Sequence, residues 1–263
     1  MAEGDTIHRT ARALQEALGD RPIGDVALPS PRSPLQRQRR RVDRLRGATV
    51  ERAEARGKHL LLHFDRGLVL HSHLGMRGSW RISKAGAASD RGAWVVLSGP
   101  DAAAAQIGGS RLALLTAAEA RSDLRLRSLG PDVLSPEFRA ATGVAVLRAT
   151  PQSRELGEAL LDQQVLAGIG NIYKSEGCWS ARVDPWLRLS ELDDAQIQRV
   201  VTEIAALMRY GVEMGRPPRS IYRRAGQSCP RCGARISSRG QGDANRRTYW
   251  CESCQRANPS GAG

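Results

Sequence analysis

Two cysteine pairs, Cys229-Pro-Arg-Cys232 and Cys251-Glu-Ser-Cys254, are the residues of this 263-residue chain whose type and spacing point most directly to chemistry. The stretch 233–250 separates them, which is ribbon spacing. Four thiolates suit one tetrahedral zinc ion and leave it no open position, so the expected metal is structural. A pair of disulfides is the competing use, disfavoured by the two-residue gap and by the expected cytoplasmic compartment. Cys178, in GCWSA, is expected to be a small buried hydrophobe. The front of the chain offers a different chemistry. Ala2-Glu3-Gly4 precedes a helix, with Asp5 and Thr6 as candidate caps and Ile7, Ala11, Leu14 and Leu18 at the spacing of one apolar face. The positive end of that helix disfavours a second positive charge and so favours an uncharged terminal amine beside a carboxylic acid. An ordinary start with a first-turn acid is the plainer use of the same residues.

Two further stretches suit anions. In LLDQQVLAGIGNIYKSEG, Gly168 and Gly170 precede Asn171. Glycines let the backbone approach closely, and a helix starting near Asn171 would aim its unsatisfied N–H groups at a phosphate; a simple interhelical turn is the alternative. In NRRTYWC, on a predicted hairpin, Arg246 and Arg247 stand at the turn, suited to a phosphate or a groove, while Tyr249 and Trp250 are expected to pack around the metal. The chain carries 40 basic against 27 acidic residues, a formal charge of +13. All but Lys58, Lys84 and Lys174 of the basic residues are arginine. That balance points to a polyanionic partner, nucleic acid before membrane. No stretch is apolar enough to span a bilayer, and the expected location is the cytoplasm.

These residues need elements to hold them. After the first helix, PSPRSPLQRQRRRVDRLRG is expected to be an exposed loop running into a basic strand. HLLLHF and LVLHSHL are β-prone runs joined by the hairpin signal Asp65-Arg66-Gly67, and GAWVVL and SRLALLT continue the pattern. Residues 1–125 are therefore expected to form a β-sandwich preceded by one helix, and 126–135, punctuated by Gly130 and Pro131, a linker. EFRAATGVAVLRA, RELGEALLDQQVL and DAQIQRVVTEIAALM have helical periods, giving a helical domain over 136–225. Residues 226–263 lack apolar periodicity, so metal rather than a hydrophobic core must hold them. The fold class is α+β.

In this order the pieces resemble one family, the formamidopyrimidine-DNA glycosylase and endonuclease VIII family of base-excision repair enzymes. The resemblance is carried by EGDT near the start, GKHLLLHF with LHSHLGMRGSW, the helix-two-turns-helix signature LLDQQVLAGIGNIY, and RAGQSCPRCG with RRTYWCESCQ. EGDT and YRRAGQSCPRCG look like the endonuclease VIII branch. The resemblance implies a bifunctional glycosylase and abasic-site lyase that removes oxidised bases, pyrimidines above all, from double-stranded DNA. It further implies a monomer with one structural zinc ion.

Carried over residue by residue, the resemblance makes the amine of Ala2, bared by loss of Met1, the nucleophile, and Glu3 the acid and base at the sugar ring oxygen. Lys58 matches the lysine beside the lesion phosphate, Asn171 the asparagine of the phosphate turn and Arg246 the arginine of the zinc hairpin. Met76 falls where the family fills the gap left by an extruded base, with Arg77 and Arg111 as candidate helpers. The lesion-facing loop is expected within GVEMGRPPRSIYRR. One departure stands out: the family's nucleophile is usually proline, and here it is alanine. Two rivals follow, a damaged-DNA binding protein with weakened chemistry and a ribbon protein without lesion preference; crosslinks are an alternative substrate.

Overall fold

The structure is a computed structural model and describes residues 2–86 and 91–255. The chain divides into two compact units, Met1–Ser128 and Leu129–Gly263.

The first unit opens with α1 (Gly4–Leu18), on which Ile7, Ala11, Leu14 and Leu18 are buried as their spacing requires. Its N-cap is Glu3, not Asp5 or Thr6. Asp5 instead lies inside the first turn, buried, 3.6 Å from Arg9. After β1 (Asp25–Ala27) the proline- and arginine-rich stretch does not run into a basic strand. It winds through a 3-10 turn, Pro34–Gln38, the single turn α2 (Arg39–Val42) and a second 3-10 turn, Asp43–Leu45. Leu35, Val42 and Leu45 anchor these turns in the core while most of the arginines stay outside. Proline at the first helical position and local capping by Ser33 favour such tight turns over extended chain.

Seven strands follow: β2 (Val50–Arg56), β3 (His59–Phe64), β4 (Leu68–His73), β5 (Ser79–Lys84), β6 (Ala93–Ser98), β7 (Ala102–Ile107) and β8 (Arg111–Thr116). They form two antiparallel four-stranded sheets, ordered β1-β6-β7-β5 and β2-β3-β4-β8. The β3–β4 hairpin closes at Gly67, whose φ of +66° suits glycine and whose N–H donates to the Phe64 carbonyl at 3.0 Å. Alternation sorts the two faces. Leu60, Leu62, Phe64, Leu68 and Leu70 point into a core shared with α1 and with Val95, Leu97 and Ala104 of the other sheet. Each fully buried side chain of that size contributes about 1.5–3 kcal/mol. His59, His71 and His73 are thereby left on the opposite face. Two short helices, α3 (Ala117–Ser122) and α4 (Leu124–Arg127), finish the unit, the first held by a reciprocal capping box between Thr116 and Glu119.

The second unit contains α5 (Ala140–Arg148), the single turn α6 (Leu156–Ala159), α7 (Asn171–Ser180), α8 (Asp194–Met214) and a hairpin of β9 (Ser237–Gln241) and β10 (Arg246–Trp250). The helix expected over RELGEALLDQQVL is reduced to α6. Beyond it the Gln163 side chain holds a turn, donating to the carbonyls of Leu161 and Ile169 at 2.8 and 3.0 Å and accepting from the Gly168 N–H at 3.1 Å. Asp193 and Gln196 cap α8, and Gly215 ends it at φ +74°. Among the described residues no helix is long and apolar enough to cross a membrane.

Candidate functional site

Ala2 is half-buried against the core of the first unit, and Glu3, 1% exposed, caps α1. It holds the N-cap position by its extended backbone, and its side chain makes no hydrogen bond to the first-turn N–H groups. Lys58 sits in the two-residue turn Gly57-Lys58 between β2 and β3, where Gly57 takes φ +58°. α1 packs on β2, and the Gln15 side chain on α1 accepts from the Ala53 N–H at 2.7 Å. Met76 lies in the β4–β5 turn and is 67% exposed, one of several large apolar side chains left open to solvent. Arg77 beside it is exposed too. Arg111 is committed elsewhere: its guanidinium donates to Asp123 at 2.8 Å and to the His71 ring at 3.0 Å.

That arginine belongs to a row of groups drawn from separate stretches of the sequence. His59 and His71 are 2.8 Å apart, Nδ1 to Nε2. The His59 ring also lies 4.7 Å from that of His73. Burial holds all three imidazoles below their ordinary pKa, aided by the neighbouring rings at His59, Arg111 at His71 and Lys58 at His73; His59 falls to about 3 and His71 to about 4.

In the second unit α7 begins at Asn171 behind Gly170, as its sequence suggests, with Gly168 at φ +97°. The Asn171 amide donates to the Arg247 carbonyl at 2.6 Å, which joins the turn to the hairpin that carries Arg246. The buried Oδ1 of Asn171 has no hydrogen-bond partner among the described residues. Arg246 opens β10 and is exposed. The two anion-binding candidates of this unit therefore share one scaffold.

Two more residues of α7 fasten it. Lys174 is fully buried under the hairpin, its ammonium 2.5 Å from the Thr248 hydroxyl and 3.3 Å from Gln241 Oε1. The buried carboxylate of Glu176 accepts the backbone N–H groups of Ser220, Ile221 and Tyr222 at 2.8–2.9 Å, anchoring the loop after α8. Sequence reasoning missed both; a lysine and a glutamate on the apolar run of a helix are the signal that could have found them.

The four paired cysteines come together, their sulfurs all within 4.8 Å of one another. Cys229 and Cys254 are 3.8 Å apart and Cys232 and Cys251 3.5 Å apart. A tetrahedron with zinc–sulfur bonds of about 2.3 Å has edges of about 3.8 Å, so the donor set fits zinc. Backbone turns shape both knuckles, Gly233 at φ +77° donating to the Cys229 carbonyl and Cys254 to that of Cys251. Tyr249 packs against this cluster as expected. Trp250 does not: it meets Trp186 edge-on at 5.1 Å. Cys178 is buried, and burial pushes its thiol up to about 12, too high for reactivity.

Comparison with known proteins agrees with this geometry. Residues 1–111 match the formamidopyrimidine-DNA glycosylase N-terminal domain and residues 129–222 the formamidopyrimidine-DNA glycosylase H2TH domain. The chain is 39% identical to a probable endonuclease 8 2 of Streptomyces coelicolor, covering 97% of this chain and 94% of that one. It is 35% identical to the DNA-(apurinic or apyrimidinic site) lyase Nei2 of Mycolicibacterium smegmatis, over 98% and 100%. Among solved structures, a Lactococcus lactis formamidopyrimidine-DNA glycosylase bound to abasic-site DNA superposes with a TM-score of 0.83 at 23% identity, covering 97% of this chain and all of that one. With its sandwich, its phosphate-type turn and its four-cysteine ribbon, the chain belongs to the formamidopyrimidine-DNA glycosylase and endonuclease VIII family of DNA repair enzymes, on the endonuclease VIII side.

Proposed function

We propose that this protein removes oxidised bases, chiefly pyrimidines, from double-stranded DNA and cleaves the strand at the resulting abasic site, with Ala2 as nucleophile. The observation that carries this is the buried Glu3 carboxyl at the N-cap of α1, directly after Ala2. An α-amine titrates near about 7.7–8.0, below a lysine at about 10.4, and the helix end lowers it further. Once Met1 is removed, a good fraction of that amine is neutral at working pH and competent to attack.

The amine forms a bond to C1′ of the damaged nucleotide and gives up a proton, while the base leaves with the electron pair of its glycosidic bond and takes up a proton. Glu3 gives a proton to the sugar oxygen as the ring opens, and the imine then makes the C2′ hydrogen acidic. Loss of that proton expels the 3′ phosphate and breaks the strand. Extrusion of the nucleotide costs a few kcal/mol, least for a damaged or badly paired base, so selection begins before the pocket is reached. Met76, apolar and exposed, is suited to fill the vacated space. Lys58, Asn171 and Arg246 supply phosphate contacts, which give affinity without reading sequence. Cys229, Cys232, Cys251 and Cys254 would hold the zinc, which would supply folding energy to the hairpin and no catalysis. The protein acts as a monomer.

A second possibility rests on Ala2 itself. Proline yields an iminium that is cationic by construction, whereas an alanine imine needs a further proton to be as good an electron sink; weakened chemistry on an intact scaffold would leave a lesion-binding protein. Incubation with duplexes bearing an oxidised pyrimidine, an oxidised purine or an abasic site separates the two. Excision and incision of the pyrimidine and abasic duplexes are expected; tight binding with every strand left whole would establish the second.

A further inference from the structure

We propose that His59 presents a single fixed N–H, at Nε2, to a backbone oxygen of bound DNA, and that Asp123, Arg111 and His71 are positioning residues that set that proton in place. The inference rests on the DNA function proposed above and deepens it.

The proton positions follow from one fact of chemistry. A guanidinium donates and never accepts. Arg111 is anchored by the Asp123 carboxylate at 2.8 Å and points its Nε–H at Nδ1 of His71, 3.0 Å away. Nδ1 of His71 must therefore be bare, and the neutral ring carries its proton on Nε2. That Nε2 lies 2.8 Å from Nδ1 of His59 and so donates to it. His59 is then bare at Nδ1 in turn and must hold its own proton on Nε2. Both rings resist a second proton, since burial and neighbouring charge hold them at about 3 and about 4. The two rings thus form a pair of neutral dipoles with one sense, running from the Arg111–Asp123 ion pair to an outward N–H.

Placement says what that N–H meets. Among the described residues none accepts from Nε2 of His59, and the side chain is only half-buried. His59 directly follows Lys58 and pairs across the sheet with His73, three residues before Met76. The end of the sheet that bears the phosphate-binding lysine and the apolar filler therefore carries a donor whose direction is locked in advance. A fixed neutral donor costs little to desolvate and suits a phosphate oxygen, which only accepts.

The test uses the zinc-loaded full chain with 15N-labelled histidine. NMR is expected to show His59 and His71 both neutral and protonated at Nε2 at pH 7; protonation at Nδ1 of either ring would overturn the proposal. Binding to a duplex carrying a tetrahydrofuran abasic analogue, at fixed salt, is then compared among variants. His59→Phe should weaken it about tenfold, the scale of a lost hydrogen bond to a charged group. His59→Gln, whose amide nitrogen reaches the place of Nε2, should stay within about twofold of wild type on the same scale. Because the donor is neutral, His59→Phe should leave the slope of log affinity against log salt unchanged, whereas loss of a cation would flatten it by about 0.9. Asp123→Ala should release Arg111 and give mixed tautomers. Equal binding by wild type and folded His59→Phe, or failure of His59→Gln to rescue, would overturn the proposal. A wild type that does not prefer the abasic analogue over intact duplex would instead overturn the DNA-lesion function, because the His59 comparison is read within each duplex.

Discussion

The two units hold their candidate functional groups by opposite means. In the first, Ala2, Glu3, Lys58 and Met76 ride on a sandwich whose apolar core runs through α1 and both sheets. In the second, the hairpin that carries Arg246 has only a small apolar cluster of its own, Ile221 and Ile236 beside two of the cysteines. It is kept in place by polar fastenings instead: Lys174 on Thr248, Asn171 on the Arg247 carbonyl, Gln255 between Cys251 and Val183, and the thiolate set that fits zinc. A core assembled by area tolerates graded damage, because each side chain contributes a share. A hairpin assembled from a few directed bonds should fail as a whole when one is cut.

Chelation should sharpen that contrast most. Structural zinc supplies about 10–16 kcal/mol in isolated finger peptides, far beyond anything the hairpin's apolar cluster can replace. Cys232→Ser or a strong chelator should release the metal, melt residues 226–255 and sharply weaken DNA binding, while amide exchange in β3 and β4 stays slow. Collapse of the sandwich as well would break the contrast. The matching cut in the first unit is Leu62→Ala at a fully buried position, expected to cost about 2–5 kcal/mol in denaturant unfolding without loss of metal. Lys174→Met comes next, at about 1–3 kcal/mol. Thr248 and Gln241 keep their mutual 2.7 Å bond, so the change should appear as faster exchange confined to β9 and β10.

The smallest effect is a pH dependence lodged in the sandwich. His59 and His71 are held at about 3 and about 4, below the ordinary value near 6.5. Below pH 6.5 the unfolded chain takes up protons that the folded chain refuses. Stability is therefore complete above that pH and is lost as pH falls toward the folded values, by at most about 1.4 kcal/mol per pH unit for each histidine. Unfolding followed between pH 7 and 5.5 should show the loss in wild type and a flatter profile in His71→Phe.

What could be seen in the sequence divides along similar lines. The cysteine spacing, the AGIGN turn and the alternating runs HLLLHF and LVLHSHL are local patterns, and each maps onto the structure where its period or geometry says it should. Other elements are invisible locally. Residues 102–107, AAAAQI, have the composition of a helix and form β7 because strands β5 and β6 flank them, with Ala104 buried in the core. The arginine-rich segment before β2 hid its turns behind a charge run. The Asp123–Arg111–His71–His59 row and the grip of Glu176 on residues 220–222 join positions far apart in the chain, so only tertiary packing assembles them. Residue types marked where a candidate amine, four clustered thiols and a glycine-led helix start would stand; the groups packed around them had no local signature.

The most direct test of the catalytic proposal is reduction with borohydride during incubation with abasic-site DNA, followed by mass mapping of the adduct. A protein lacking Met1 should become covalently linked to the deoxyribose through the nitrogen of Ala2, and one extra residue ahead of Ala2 should abolish the link. Absence of any adduct from protein with that amine exposed, or an adduct mapped to a lysine, would contradict the account.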